Sequence, residues 1–287
     1  MRMAQAGLPH IPYCGLPPSP IDLWWRWNID PVLILVLIGV GIAYAAGTAQ
    51  LRRQARAISG TRQALFYCGW ALTAAALISP LCPLSVSLFS ARVGQHMLIT
   101  LVGAPLIAAG RPVTALSGLL SVSSQPRQLK SFSRSSLMSA AVFAALLWFW
   151  HMPYPYTLTF ASTAIYWAMH VTLFGSALWL WTCLLASDTV NLVKAIGASI
   201  VSSVQMGFLG AVITFAPHPL YTPHLLTTAA WGITSLQDQQ LGGAIMWVPG
   251  CGIFFALSIL GLLLLLRTEG WQEQPATASM RTAEHGN

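Results

Sequence analysis

The sequence predicts an all-α polytopic membrane protein with seven transmembrane helices, and three observations support this fold class. First, 55% of the 287 residues are hydrophobic and only 7% are charged, whereas a soluble domain carries roughly 25% charged residues. Second, the apolar runs are long and continuous, unlike the short alternating strands of a membrane β-barrel. Third, the run at residues 241–266 is long enough to cross a bilayer, since about 20 helical residues cover its hydrocarbon core.

Three regions follow one another along the chain. Residues 1–30 are rich in proline and tryptophan and contain no apolar run of the kind that a signal peptide requires. Trp24, Trp25 and Trp27 are typical of the aromatic belt at a membrane surface. Residues 31–266 form the predicted transmembrane domain, and residues 267–287 form a charged tail that we predict to be disordered.

Apolar runs and the breaks between them place the helices. They are predicted at residues 32–49, 63–79, 86–109, 137–151, 158–186, 192–216 and 238–266. Pro80 ends the second helix, and residues 80–85 are interpreted as a short uncharged turn. Pro105 predicts a bend in the third helix.

Basic residues indicate how the helices are oriented. The loops after the first and third helices each carry four of them, and the loops after the second, fourth and sixth carry none. The positive-inside rule therefore predicts the N-terminus outside and the C-terminus in the cytoplasm. Arg92 is an exception, because it lies near the outer end of the third helix. The net charge of +7 thus reflects orientation and does not indicate nucleic-acid binding.

The five cysteines are scattered and form no CxxC pair. This spacing argues against a structural zinc site and against a thioredoxin-type motif. Cys14 and Cys82 fall in the same predicted compartment, but the sequence leaves open whether they pair.

Polar residues in the predicted helices are the candidate functional residues. His96, His151, His170 and Asp238 belong to four different helices and lie toward the same outer side. Imidazole binds zinc, copper and iron, and the thioether of Met246 favours Cu(I). Since ionisable residues inside a membrane are costly, the group predicts a metal or proton site. Asp238 has a second interpretation as the N-terminal cap of the seventh helix.

Three other classes of membrane protein can be compared with this pattern. A retinal protein needs a lysine in the seventh helix, and the chain has only Lys130 and Lys194, which lie elsewhere. A haem-binding electron carrier stays open, with His96 and His170 as axial ligands. A copper transporter also stays open, although no inverted repeat is visible.

Several motifs then resemble one known family. They are NIDPVL at 28–33, ISPL at 78–81, LFSARVGQHMLITLVGAPLIAAGRP at 88–112, WHMP at 150–153, PHPLY at 217–221 and DQQLGGAIMWVPG at 238–250. Together they resemble the CtaG family, the caa3-type cytochrome c oxidase assembly factors of bacterial membranes. The resemblance extends over about residues 24–266. It implies a non-enzymatic, seven-helix protein of the bacterial cytoplasmic (inner) membrane that helps copper reach a haem–copper oxidase.

Together with the polar residues described above, the resemblance leads us to predict roles for individual residues. His96 and His170 would be the principal Cu(I) ligands, with His151 or Met246 completing the set. Asp238 would attract the cation or orient a histidine. The implied partners are oxidase subunits or other assembly factors within the lipid bilayer, and no nucleic acid.

Further supporting residues come from the two most specific motifs. Gln95 and Gln239 adjoin His96 and Asp238 in QHML and DQQLGG, so they are expected around the site. Arg92 stands where the family commonly has a histidine, and arginine is permanently charged and cannot bind a metal. It lies one helical turn before His96, and we expect it to pair with Asp238.

Overall fold

The computed structural model describes residues 11–120, 135–185 and 192–272, and within these ranges the chain forms helices and no strands. The α-helices are α1 (Pro31–Arg53), α2 (Gly60–Ile78), α3 (Leu81–Ser87), α4 (Phe89–Met97), α5 (Ala104–Ala109), α6 (Pro112–Leu120), α7 (Ser136–His151), α8 (Pro153–Ala161), α9 (Thr163–Leu185), α10 (Leu192–Thr214), α11 (Ser235–Ile245) and α12 (Cys251–Gln272). The predicted all-α fold class is confirmed.

The number of spans agrees with the prediction. Within the described residues, five helical segments are long and apolar enough to cross a membrane. Two further pairs of helices pass the same test together but are bent, α2 with α3 by 49° and α7 with α8 by 71°. Counting each bent pair as one span gives up to seven transmembrane helices.

Several predicted helix boundaries differ from the structure, and two of the differences change how the chain is divided into helices. The turn predicted at residues 80–85 is largely helical, because α3 begins directly after Pro80. The fifth helix begins at Thr163 and not at residue 158. The residues before it form α8, which begins at Pro153 and ends where Ser162 adopts an extended conformation (φ −150°, ψ 123°). Proline favours a helix start, since its missing N–H has no intrahelical partner there.

Two predicted irregular regions also contain helix. The linker predicted between the third and fourth helices includes α6. Ala115 of α6 packs closely on Gly47 of α1, since a Cβ atom added to Gly47 would lie 2.2 Å from the Ala115 carbonyl oxygen. The last helix continues to Gln272, past the predicted end at residue 266. Residues 121–134 of the linker and 273–287 of the predicted disordered tail lie outside the described residues.

Two membrane helices contain a wide, π-helical turn. The turn Leu98–Gly103 joins α4 to α5 just before Pro105, and the turn Met246–Gly250 joins α11 to α12 and contains Pro249. Proline removes a backbone hydrogen bond, and a π turn is one local adjustment that accommodates it. The structure thus has a π turn directly before Pro105, and the bend predicted there stays a prediction.

Small residues bring α10 and α11 together. A Cβ atom on Gly243 would lie 2.8 Å from the carbonyl oxygen of Gly210, so a larger side chain at this position would push the helices apart. Such close backbone contact is characteristic of helix packing in membranes. The largest buried apolar cluster lies beside this contact and includes Phe143, Met206 and Phe254.

The N-terminal segment is fastened to the start of α3. Cys14 and Cys82 form a disulfide, with their Cα atoms 5.5 Å apart. The Ser87 hydroxyl donates to the carbonyl oxygen of Pro18 at 2.8 Å, which holds the same segment at a second point. The pairing that the sequence left open is thus present in the fold.

Candidate functional site

His96 of α4 and His170 of α9 meet in the interior of the helical bundle. Their ring centroids are 5.1 Å apart, and the rings are nearly perpendicular, at 71°. Only 5% of His96 and 7% of His170 is exposed. The predicted convergence of this pair is therefore found.

Hydrogen bonding orients the His170 ring. Its Nδ1 lies 3.0 Å from the carbonyl oxygen of Tyr166, which can only accept, so Nδ1 carries a proton. In the neutral ring Nε2 then carries a lone pair. The Nε2 atoms of His96 and His170 are both buried and have no hydrogen-bond partner in the described part of the chain. A histidine that donates one ring N–H to a carbonyl and leaves the other nitrogen open is arranged as metal-binding histidines are.

His151 lies close to this pair but does not complete a metal site with it. Its Nδ1 is 2.7 Å from the carbonyl oxygen of Leu147, in the same arrangement as His170. His151 also interacts electrostatically with His96. Within residues 11–120, 135–185 and 192–272, however, no three or more His, Cys, Asp or Glu side chains are placed to hold one metal ion. The structure therefore assembles two histidines and not a three-histidine set.

Arg92 lies one turn before His96 and is buried, with 2% of the residue exposed. Its guanidinium carbon is 4.3 Å from the ring centroid of Phe160, 5.2 Å from that of Tyr156 and 5.5 Å from that of Tyr166. It interacts electrostatically with the histidines around it, which are His96, His151, His170 and His224. Arg92 is therefore a permanent positive charge among four histidines. We call Arg92 and these four histidines the cluster.

The predicted ion pair between Arg92 and Asp238 is wrong. Between described residues, the one ion pair within 4.0 Å joins Arg26 to Asp22. Asp238 is fully buried, and its carboxylate accepts hydrogen bonds from the start of α4 instead: from the Phe89 N–H at 2.6 Å, the Ser90 N–H at 3.1 Å and the Ser90 hydroxyl. The first N–H groups of a helix have no intrahelical partner, so a carboxylate there is stabilising.

The alternative role of Asp238, as the cap of its own helix, is also wrong. Thr234 is the N-terminal cap of α11, and it forms a reciprocal capping box with Gln237. Asp238 lies in the first turn of α11 and caps α4 across the interface between the two helices. The carboxylate thereby fixes the start of the helix that carries Arg92 and His96.

The comparison with known families agrees with this architecture. The model of the cytochrome c oxidase caa3 assembly factor family (Caa3_CtaG) matches residues 42–268, which is well over half of the chain. The chain belongs to this family. No curated protein and no solved structure matches it. The matched residues include Arg92, the four histidines around it and Asp238.

The remaining residues of the predicted site are Gln95, Gln239 and Met246, and in the structure they contact the backbone or the apolar core. Gln95 donates to the carbonyl oxygen of Ala76 at 2.7 Å, which ties α4 to α2. Gln239 accepts from the Leu220 N–H at 2.6 Å and donates to the carbonyl oxygen of Ile213 at 3.2 Å. Met246 is fully buried in the largest apolar cluster. Gln95 and Gln239 thus tether backbone segments and Met246 packs in the core, while the metal-binding role predicted for Met246 stays a prediction.

Sequence reasoning missed the aromatic and loop residues around Arg92 in this assembly factor. Tyr156 and Phe160 come from α8, which the sequence did not predict as a separate helix. His224 lies in the loop between α10 and α11, yet it is 1% exposed, and its Nε2 lies 2.6 Å from the Tyr156 hydroxyl. Burial lowers the pKa of His224 to about 3. The two prolines in PYPY were the available signal that a new helix starts here.

Proposed function

We propose that this assembly factor binds copper as cargo through His96 and His170 and assists its delivery to a haem–copper oxidase. One observation carries the proposal: two buried imidazoles from different helices touch, and the Nε2 atoms of both have no hydrogen-bond partner among the described residues. Imidazole nitrogen is a good ligand for copper. Two such nitrogens suit Cu(I), which accepts low coordination numbers. The protein would hold and transfer the ion without catalysing a reaction.

Copper fits the pair better than haem, the alternative ligand of two histidines. A haem must place its whole macrocycle between its two axial ligands. The rings of His96 and His170 are in edge-to-face contact, at 5.1 Å between centroids, and α4 and α9 would have to separate to admit it. A single ion requires only side-chain adjustment. The same geometry would serve a copper transporter, but the family match favours assembly.

We propose further that copper enters from the outer side of the bacterial cytoplasmic membrane, where the N-terminal segment lies. Disulfides persist in oxidising compartments outside the cytoplasm, and the Cys14–Cys82 bond fastens that segment to the start of α3. The basic loops after the first and third helices favour the same orientation. The partners are then the copper-containing oxidase subunits or other assembly factors that meet this face.

Labelling with a membrane-impermeant thiol reagent tests this orientation. Cys68, Cys183 and Cys251 are replaced by serine, and single cysteines are introduced at the exposed positions Gln54 and Thr222. We expect the Thr222 cysteine to label in intact cells, whereas the Gln54 cysteine labels only after the cells are opened. The unmodified Cys14–Cys82 pair serves as the background, because a disulfide does not react. Labelling of both positions in intact cells would disprove the orientation.

Metal analysis of the purified protein tests the copper site. Protein from copper-supplemented cells is expected to retain about one copper ion per chain, and His170→Ala is expected to lose most of it. His218→Ala is the matched control, since His218 is exposed in an outer loop. An absorption spectrum of the same sample separates the alternatives, because bound haem gives a Soret band and Cu(I) is colourless. A Soret band, or equal copper content in the two variants, would reject the proposal.

A further inference from the structure

One complete edge of the Arg92 guanidinium lacks a partner. Its Nε and Nη2 atoms are buried and make no hydrogen bond to any described residue. These two atoms lie on the same edge of the planar group, so their N–H bonds point in parallel. This edge is the fork that binds the two oxygens of a carboxylate. The aromatic rings lie within 5.5 Å of the guanidinium carbon, but they do not supply the two in-plane acceptors that the edge requires.

The three carboxylates whose side chains the structure describes are engaged elsewhere. Asp22 binds Ser19 and Arg26, and Asp30 caps α1 and accepts from the Tyr13 hydroxyl. Both oxygens of Asp238 are occupied by the start of α4. A buried charge that lacks a partner is strongly destabilising in a membrane interior.

The neighbouring histidines do not neutralise Arg92 either. A neutral imidazole carries no charge, and the Nε2 atoms of His96 and His170 are further polar atoms that the described chain leaves without a partner. Among the described side chains, the positive charge of Arg92 therefore has no neutralising partner. An anion with two parallel acceptor oxygens would supply both the charge and the hydrogen bonds that this edge lacks.

We infer that the Arg92 edge binds a carboxylate, which completes the electrostatics of the cluster. The occupant is either a small free carboxylate from solution or the carboxyl group of a larger molecule acquired in the cell. The site is distinct from the proposed copper ligands, because arginine cannot bind a metal and its anion is held by N–H groups. Binding is therefore measurable in protein stripped of copper by a chelator.

Thermal unfolding of the purified full chain, followed by tryptophan fluorescence, tests the inference. Sodium formate is titrated into chelator-treated protein at constant ionic strength set with sodium chloride. We expect the midpoint of unfolding to rise and saturate for the wild type. Arg92→Gln is expected to lose this response, and Arg92→Lys, which retains the charge but not the fork, to weaken the apparent affinity about tenfold or more. Arg56→Gln removes the same charge from an exposed loop and should respond as the wild type does.

A second measurement distinguishes a larger occupant from a free carboxylate. Protein isolated from membranes is denatured, and small molecules released from it are identified by mass spectrometry. A carboxylic acid carried by the wild type in stoichiometric amount and missing from Arg92→Lys supports the inference, with the cell as its source. Equal formate responses in the wild type, Arg92→Lys and Arg92→Gln, or a lack of any response together with no bound acid, would overturn it. Neither readout involves copper, so failure here leaves the copper proposal standing.

Discussion

Replacing Asp238 with asparagine is expected to lower the free energy of unfolding by about 2–4 kcal/mol, since buried N–H groups that lose a charged acceptor cost 1–3 kcal/mol each. One carboxylate oxygen accepts from the Phe89 N–H, and the other from the Ser90 N–H and hydroxyl. Asparagine has one carbonyl oxygen, and its NH₂ group would face a donor. The change is measured by thermal or denaturant unfolding of the purified protein.

Two further variants make the Asp238 result specific. Asp22→Asn removes a carboxylate at the exposed N-terminal segment and should shift unfolding only slightly. Arg92→Gln should change the free energy of unfolding by the same amount in the wild type and in Asp238→Asn, because the two side chains do not form an ion pair in the described structure. A clearly different effect of Arg92→Gln in the two backgrounds, or wild-type unfolding of Asp238→Asn alone, would show that Asp238 does not act as the cap of α4.

Replacing His96 with alanine is expected to reduce the activity of the dependent oxidase about tenfold or more, since losing even a supporting group of a metal site costs 10–100-fold. The abundance of the variant should stay normal. The Nε2 atom of His96 has no hydrogen-bond partner in the described fold, and an interhelical hydrogen bond in a membrane contributes only about 0.6 kcal/mol on average. Oxidase activity and the amount of the variant are measured in the same membranes.

The His96 experiment needs a control that separates function from folding. His218→Ala changes an exposed histidine of the same chain and should leave both oxidase activity and abundance unchanged. A parallel fall of abundance and activity in His96→Ala would indicate a folding defect. Full oxidase activity at normal abundance would show that His96 has no role in maturation.

The sequence predicts well those properties that depend on residues close together along the chain. Hydropathy over a window of about 20 residues identifies a membrane helix whatever its partners are, so the fold class and most spans were predicted correctly. Helix ends were less certain, because the prolines at 80 and 153 both end one helix and begin another. A proline signals a boundary, but it does not say whether the following residues continue as a turn or as a new helix.

Only part of the candidate site could be predicted from the sequence. His96 and His170 could be paired from their depth in two apolar helices, since rare polar residues in a membrane face the interior of the bundle. The partners of Arg92 and Asp238 could not be predicted from the sequence. Both charges lie near the starts of α4 and α11, and their opposite signs suggest an ion pair, but the carboxylate instead accepts hydrogen bonds from the backbone at the start of α4.

The sequence by itself therefore determined the helical class and the segments that are long and apolar enough to cross a membrane, because both follow from local composition and a fixed rise per residue. Only the tertiary structure decided which polar groups satisfy one another. Asp238 meets Phe89 across 149 positions, and Cys14 meets Cys82 across 68. Such pairings depend on how the helices pack and bend, and a low-dielectric interior makes each of them costly to leave unsatisfied.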